Sequence, residues 1–446
     1  MELMERMQGL IEKNQLGMLR MRLEALNAPD VAELMEACTR ERALLIFRLL
    51  PKERAAETFA YLAPEKQQAL IDAMREGEVK QVMEHLASDD AADFLEEAPA
   101  GVVKKAMEGA DKERRAQLAA LLRYPENSAG SLMTADFVEL HDRLTVKQAL
   151  DCVRRRGPRA ESAGVLYTID NTRHLTGSVR LIDLVCAEEI HRVSDIRDAR
   201  VVSVGTLVDQ EEVVSAFRRY DVAQMPVVDS EGRLVGMITA DDVLDVIEQE
   251  NTEDMEIMAA ITPQEKPYLS IGPMQLAKSR IVWLLVLMIS ATISGRIISA
   301  FEQVLQSAVV LTAFIPMLMD TGGNCGSQAS VMVTRGLALG EIRPRDALRV
   351  LWKELRVSLI VGAALAAVNF VRILLFEGVG AQVALVVSLS LLATVICAKC
   401  VGALLPLLAK QCRLDPAVMA SPLITTLVDT ASLLVYFCFA KALLGL

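Results

Sequence analysis

Asp241–Glu256 reads DDVLDVIEQENTEDME, and how it is interpreted decides how the rest of the chain divides. Eight of its sixteen residues are carboxylates (Asp241, Asp242, Asp245, Glu248, Glu250, Glu253, Asp254, Glu256) and none is basic. The apolar residues Val243, Leu244, Val246, Ile247, Met255 and Ile257 recur at helical rather than strand spacing, which predicts an amphipathic helix. Its charges stack. Asp241/Asp245 and Glu250/Asp254 are i,i+4 pairs, and Asp242/Asp245, Asp245/Glu248 and Glu250/Glu253 are i,i+3 pairs, each destabilising by about 0.2–0.5 kcal/mol. Such a helix is strained unless something positive sits against it. A short way downstream the first membrane-length apolar run begins, so an acidic helix joins a soluble half to a membrane half, and a hard cation is the natural counter-charge.

Composition supports that division. The chain has 446 residues, 52% of them hydrophobic, with mean hydropathy +0.32, which is high for a soluble protein. Residues 1–270 carry a net charge of −17 and residues 271–446 carry +6. An acidic soluble half excludes nucleic acid as a partner, since that requires a basic patch, and suits a cationic one. The eight cysteines are scattered singly apart from Cys397 and Cys400, so no disulfide framework is expected and the soluble half belongs in a reducing cytoplasm. The start, MELMERMQGL, lacks the continuous apolar core of a secretory signal. None of the four histidines (His85, His141, His174, His191) stands at zinc-ligand spacing from cysteine or carboxylate.

Upstream of the acidic helix two internal repeats are visible. Residues 1–125 have an all-helical pattern punctuated by Pro29, Pro51, Pro64 and Pro99, and Leu50–Thr58 aligns with Leu86–Phe94 at an offset of 36. Helical repeats of that kind stack into a short superhelix. Ser88 is the expected N-cap of the helix that carries Asp89, Asp90 and Asp93 in its first turn. Those carboxylates either compensate the helix dipole or, with Asp89 and Asp93 on one face, offer oxygen ligands to a cation shared with another domain.

In residues 126–250 a second repeat runs. Val138, Leu140, Leu144, Ala149 and Val153 recur 64 positions later as Val202, Val204, Val208, Val213 and Phe217, while Asp170, Gly177 and Asp183 recur 59 positions later as Asp229, Gly236 and Asp242. Each copy reads as strand, helix, β-hairpin, helix, most clearly in Met225–Ala240 with Ser230–Gly232 as its turn. The phrases GSLMTADFVELHDRLTVKQAL and YDVAQMPVVDSEGRLVGMITADDVLDVI resemble a tandem CBS pair, an α/β regulatory module. The resemblance implies a site for ATP or another adenine nucleotide, with Asp183 and Asp242 where such modules hold a ribose; alternatively Asp241 and Asp242 cap the helix after Thr239.

Downstream, Ile281–Ala300, Ser307–Met319, Leu355–Phe376, Val383–Ala409 and Ser421–Leu444 are predominantly apolar. If the second continues through its polar stretch, five spans cross a hydrocarbon core of about 30 Å. Lys278, Arg280, the cluster Arg335–Arg356, Lys410 and Arg413 fall on one side, so the positive-inside rule puts the N-terminal domains in the cytoplasm and the C-terminus outside the cell membrane. Three polar stretches at membrane depth need a reason: PMLMDTGGNCGSQAS (Pro316–Ser330), SPLITTLVDTAS (Ser421–Ser432) and the lone Lys399 between Cys397 and Cys400. For Asp429 the favoured reason is coordination of a small hard cation such as Mg2+, with carbonyls freed near Pro422; the bland one is packing against Thr425 or Thr426. Gly322 and Gly323 allow close helix packing.

PMLMDTGGNCGSQ, FEQVL and RLDPAVMASPLITTLVD make the whole chain resemble the MgtE family of magnesium channels. The resemblance implies a multidomain membrane protein: an α-superhelical N domain (1–125), a tandem CBS domain (126–250), an acidic connecting plug helix with linker (241–270) and a five-helix transmembrane domain (271–446). It implies a homodimer in membrane lipid, with Mg2+ passing between the copies. The pore positions implied are Asp429, backbone near Ser421 and Thr425, and Asp415 at the cytosolic mouth. The implied sensor positions are Asp89, Asp93, Asp209, Glu211, Asp221, Asp242, Asp245, Glu250, Glu253 and Asp254, which cytosolic Mg2+ bridges to close the path. Asp320, Ser327 and Lys399 depart from the family pattern of glycine, asparagine and asparagine. Asp320 and Lys399 are read as an ion pair between the second and fourth spans, with Asp320 as a second pore ligand the competing view. Other functions stay open: a broader divalent (Co2+, Mn2+, Ni2+) carrier, or a nucleotide-sensing regulator that transports nothing. An enzyme is not expected, since no nucleophile and base pair up.

Overall fold

The structure, a computed structural model, describes residues 9–10, 15–264, 268–419 and 421–445, with Ser421 described in its backbone alone. It comprises two compact units, Met1–Ile247 and Glu248–Leu446. Among the described residues, the first carries nine short helices after residue 15: α1 (Leu16–Glu24), α2 (Ala28–Glu36), α3 (Arg40–Leu49), α4 (Lys52–Ala60), α5 (Pro64–Ala73), α6 (Glu76–His85), α7 (Ser88–Glu97), α8 (Ala100–Gly109) and α9 (Lys112–Leu121). From α2 to α9 the starting residues fall twelve apart. The 36-residue repeat is therefore three helices, each a turn plus about ten helical residues. Apolar residues recur at the junctions (Leu50, Leu62, Met74, Leu86, Ala110) and are buried, so every turn drives a hydrophobic plug inward. Alternate helices pack together, α2 on α4, α4 on α6 and α6 on α8, which is the expected superhelix. Phe59 of α4 and Phe94 of α7 meet edge to face at 5.3 Å between ring centroids.

Ser88 is not the cap. Ala87 holds that position, and the Ser88 hydroxyl instead bonds Thr134 Oγ1 at 3.1 Å and accepts the Ala135 N–H at 2.7 Å, tying α7 to the segment that enters the sheets. Two matching three-stranded sheets follow. In the first, β1 (Phe137–His141) pairs parallel with β2 (Ser162–Ile169), which pairs antiparallel with β3 (Leu175–Arg180); α10 (Val146–Arg156) and α11 (Leu181–Cys186) complete the repeat. The second repeats the pattern with β4 (Val204–Gly205), α12 (Gln210–Tyr220), β5 (Gln224–Val228), β6 (Leu234–Thr239) and α13 (Ala240–Met258). The expected hairpin turn is present, closed by Gly232 N–H to the Asp229 carbonyl, with Gly232 at φ +80°, where a side chain would be strained.

The second unit has five long helices: α14 (Pro273–Ala300), α15 (Ile315–Ala338), α16 (Ala347–Arg372), α17 (Ala381–Gln411) and α18 (Ser421–Leu444). Among the described residues, four helical stretches are long and apolar enough to cross a membrane: Pro273–Ala300, Pro344–Glu377, Ala381–Gln411 and Pro416–Leu444. α15 is the exception, and it corrects the sequence reading twice. It starts at Ile315 rather than Ser307, and the polar stretch through Ser330 does not interrupt it. Its glycines serve contact instead. A side chain at Gly322 would strike the Ser432, Thr394 and Val428 side chains, and one at Gly402 of α17 would strike the Gly326 backbone, so α15 and α17 approach at backbone distance while side chains of α18 rest directly on the α15 glycines.

Candidate functional site

Three candidate sites emerge, one of them partly unforeseen. In the first unit Asp89, Glu161 and Asp242 place carboxylate oxygens within 4.8 Å of one another. Each is positioned by a different element. Asp89 sits in the first turn of α7, whose place is fixed by the Ser88 bonds. Asp242 lies in the first turn of α13 and accepts the Thr239 N–H (3.2 Å) and hydroxyl (2.6 Å), the capping geometry read from sequence. Glu161 precedes β2 and its N–H donates to the Asp136 carbonyl at 2.9 Å. Asp136 is in turn held by Arg114 at 2.9 Å.

Electrostatically this cluster is unbalanced. Asp89 is 6% exposed and its Oδ1 has no hydrogen-bond partner among the described residues. Burial, reinforced by Glu161, Asp242 and Asp90, pushes its carboxyl well above the usual range. Burial is also the main cause for the neighbours. Glu161 is raised to about 7, with Asp242 and Asp90 adding repulsion against a relieving bond from Thr134, and Asp242 is raised despite its Thr239 bonds. Asp93 reaches about 7, helped by Glu96, Asp90 and Asp242, and Asp90 reaches about 6, helped by Asp242, Asp241 and Asp245. Asp90 and Asp93 have protein crowded around them yet keep an open side to water, so screening weakens their repulsion, and Asp89 is the group in which it persists. Converging carboxylate oxygens with an unfilled acceptor can hold a hard divalent cation, which would remove the repulsion.

The other expected sensor residues are not in this cluster. Asp209 caps α12 through the Glu211 N–H at 2.9 Å, and Asp221 ends that helix in left-handed geometry at φ 51°. Asp245 lies one turn along α13 from Asp242, while Glu250, Glu253 and Asp254 occupy its later turns. Glu161 was not legible in the sequence, standing alone between a 3-10 turn and a strand with no motif around it; only the tertiary fold brings it to Asp89.

At the position implied for a nucleotide, Asp183 is exposed and gripped by Arg180 in a fork of two 2.7 Å bonds, which holds its carboxyl below the usual range. A ribose reaching Asp183 must displace that guanidinium.

In the second unit Asp429 lies in the third turn of α18, half-buried, within electrostatic reach of the exposed Asp320 of α15. The Thr425 and Thr426 hydroxyls do not bond Asp429; both donate to the Pro422 carbonyl, at 2.8 and 3.1 Å. Pro422 is the second residue of α18, where its missing N–H frees no carbonyl inside the helix, contrary to expectation. Asp415 caps the turn before α18 by accepting the Ala417 N–H at 2.8 Å. α18 begins at Ser421, whose side chain lies outside the described residues. Lys399 does not pair with Asp320. Its Nζ is 3.7 Å from Glu354 Oε2 of α16, a residue that the expected span boundary at Leu355 had left outside the membrane.

Comparison with known proteins agrees with this division. A family described as divalent cation transporter matches residues 315–439, one described as an MgtE intracellular N domain matches 26–127, and the CBS domain family matches 193–249. The magnesium transporter MgtE of Thermus thermophilus is 36% identical over 443 residues, covering 98% of both chains, and that of Bacillus subtilis is 33% identical over 413 residues, covering 89% of this chain and 90% of its own. The crystallised cytosolic domain of an MgtE Mg2+ channel in complex with ATP is 37% identical, with TM-score 0.51 over 54% of this chain and 98% of that one. The soluble part of a magnesium transporter is 25% identical with TM-score 0.53 over 56% and 98%. Matched nearly end to end at such identity, the chain belongs to the MgtE family of magnesium transporters, membrane proteins with an intracellular N domain that are not enzymes.

Proposed function

We propose that this chain is a Mg2+-selective channel of the cell membrane that closes when cytosolic Mg2+ is plentiful. The observation that carries the sensing half is Asp89: a buried carboxylate with an oxygen lacking any partner, facing Glu161 and Asp242. A cation there bridges α7, the segment before β2 and the first turn of α13. Without it the three carboxylates repel and separate. Opposite charges about 4 Å apart at an effective dielectric of about 20 attract by about 4 kcal/mol, enough for a few such contacts to tilt a two-state equilibrium. α13 runs unbroken from Ala240 to Met258 and carries Asp245, Glu250, Glu253 and Asp254 on the same helix as Asp242, so these carboxylates belong to the element that a cation at its first turn would engage. Asp93, Asp209, Glu211 and Asp221 belong to further cation contacts of the same acidic surface.

The transport half rests on Asp429 with Asp320 near it, on closely packed helices. We assign the ion path to α15 and α18 between two copies of the chain, with Asp415 and the backbone near Ser421 and Thr425 at its cytosolic end. All five long helices then span, which places the C-terminus outside. α15 is the least apolar because it lines the path. We also assign an ATP site to the Asp183 side of the CBS pair; the similar cytosolic domain crystallised with ATP supports nucleotide binding.

The test is Mg2+ flux through purified protein in liposomes, with and without millimolar Mg2+ on the cytosolic face. D89N/E161Q/D242N is expected to conduct but no longer close, and neutralising Asp245, Glu250 and Asp254 to act in the same direction. Unchanged inhibition refutes the sensor. D429A is expected to reduce influx to background; full influx refutes the path and favours a regulator that transports nothing.

A further inference from the structure

Glu354 is the lone carboxylate of α16, and Lys399 is the lone charge between Ala381 and Ala409 of α17. The two side chains meet, 7% and 16% exposed, with Nζ and Oε2 3.7 Å apart. Both lie in the half of the helices nearest the arginine-rich loops, roughly 11 Å from the start of α16 and roughly 18 Å from the end of α17 at 1.5 Å per residue. Lys399 is also within electrostatic reach of Cys325 of α15, five residues beyond Asp320, and Glu354 within reach of Cys400. The pair therefore sits at the meeting of α15, α16 and α17. A lone ammonium at this depth carries a heavy insertion penalty, and beside helices that guide a divalent cation it would also repel that ion. At roughly 8–10 Å and an effective dielectric of about 20, one fixed positive charge lowers occupancy by a doubly charged ion by more than an order of magnitude.

We infer that Glu354 is a positioning residue for transport: it neutralises Lys399 and turns its charge away from the ion path, leaving Asp320 unpaired and able to join Asp429 in attracting the cation. This rests on the assignment of the path to α15 and α18. The pair is a counter-charge built into the wall of the path. With Lys399 balanced by Glu354, Asp320 and Asp429 are the charges that α15 and α18 offer to the path.

The experiment is Mg2+ influx into liposomes containing full-length protein, at matched amounts of monodisperse sample, with D429A run in parallel. E354Q is expected to lower influx at least tenfold and raise the half-saturating Mg2+ concentration. E354Q/K399Q is expected to return to within about twofold of wild type. D320N lowers influx several-fold and is not rescued by K399Q, which separates the Glu354 pairing from the Asp320 one. Wild-type influx in E354Q, or a double variant as impaired as E354Q, overturns the proposal. Should E354Q fail to accumulate, the charge-swapped E354K/K399E carries the test: influx within threefold of wild type supports it, and a tenfold loss overturns it. If D429A alone conducts normally, the assigned path is wrong, a result distinct from any outcome at Glu354.

Discussion

The two units treat buried charge in opposite ways. In the soluble unit Asp89, Glu161 and Asp242 bring like charges together, and one Asp89 oxygen has no partner among the described residues. In the membrane unit, where an unbalanced charge is costlier, Lys399 meets Glu354. The difference follows from what each charge must do. A group that binds a diffusible cation has to be left short of positive charge, so that the ion supplies the missing balance and its departure has a structural effect. A group that only surrounds the path has to be balanced by the protein itself.

The contrast can be broken most sharply in the membrane unit. E354Q is expected to lower the thermal stability of detergent-solubilised protein by about 3 kcal/mol, since removing one partner of a buried pair leaves the other uncompensated. A loss below about 1 kcal/mol would mean that Lys399 never needed its partner. In the soluble unit the same kind of substitution should act with the opposite sign. D89N in Mg2+-free protein is expected to stabilise the region around α7 by about 1–2 kcal/mol at alkaline pH, where the raised Asp89 carboxyl is ionised and the substitution removes an unpaired buried charge. Hydrogen exchange at Ala91–Leu95 reads this as roughly five- to thirty-fold slower exchange, and acceleration would show that the Asp89 charge is satisfied after all.

A smaller effect is expected from pH. Asp93 and Glu161 at about 7, and Asp90 at about 6, lie above the ordinary carboxylate range, so the folded state binds more protons than the unfolded one between about pH 4 and 7. Stability of the Mg2+-free cluster therefore falls as pH rises through about 7 and is regained on acidification. Exchange at the same amides, corrected for its intrinsic pH dependence, should slow about threefold from pH 7.5 to 5.5, and this response should shrink in D89N/E161Q/D242N, which leaves only Asp90 and Asp93 of the raised carboxyls to titrate. The smallest effect belongs to the exposed Arg180–Asp183 pair. R180Q is expected to leave stability essentially unchanged while raising ATP affinity a few-fold, and tighter binding in wild type than in R180Q would assign the guanidinium to the nucleotide instead.

What the sequence made legible followed from periodicity. The acidic helix, the two matching strand–helix–hairpin units and the helical N domain all carry patterns local enough to read, and Asp89 and Asp242 were visible because each opens a recognisable helix. The failures have physical reasons too. Glu161 has no local signature, because its role arises from a contact across the fold. The helical course of Pro316–Ser330 was hard to read since glycine and amide residues disfavour isolated helices, whereas packing against α17 and α18 makes glycine the residue that fits. Lys399 was assigned the wrong carboxylate because Glu354 stood one residue outside the expected span. A search for lone opposite charges on adjacent spans would have found it.

The twelve-residue spacing of the N-domain helices has a consequence for how such a protein can change. Because alternate helices pack together, an insertion or deletion of two whole helices upstream of Ser88 is expected to keep the later junction residues facing the core, so the domain could lengthen or shorten in steps of a helix pair without changing the helix that carries Asp89. After Ser88 that freedom ends, because Arg114 of α9 is pinned to Asp136 and reaches the Leu86 carbonyl, closing a loop around the cluster. The molecule is thus a ruler of variable length before its sensor and of fixed length after it.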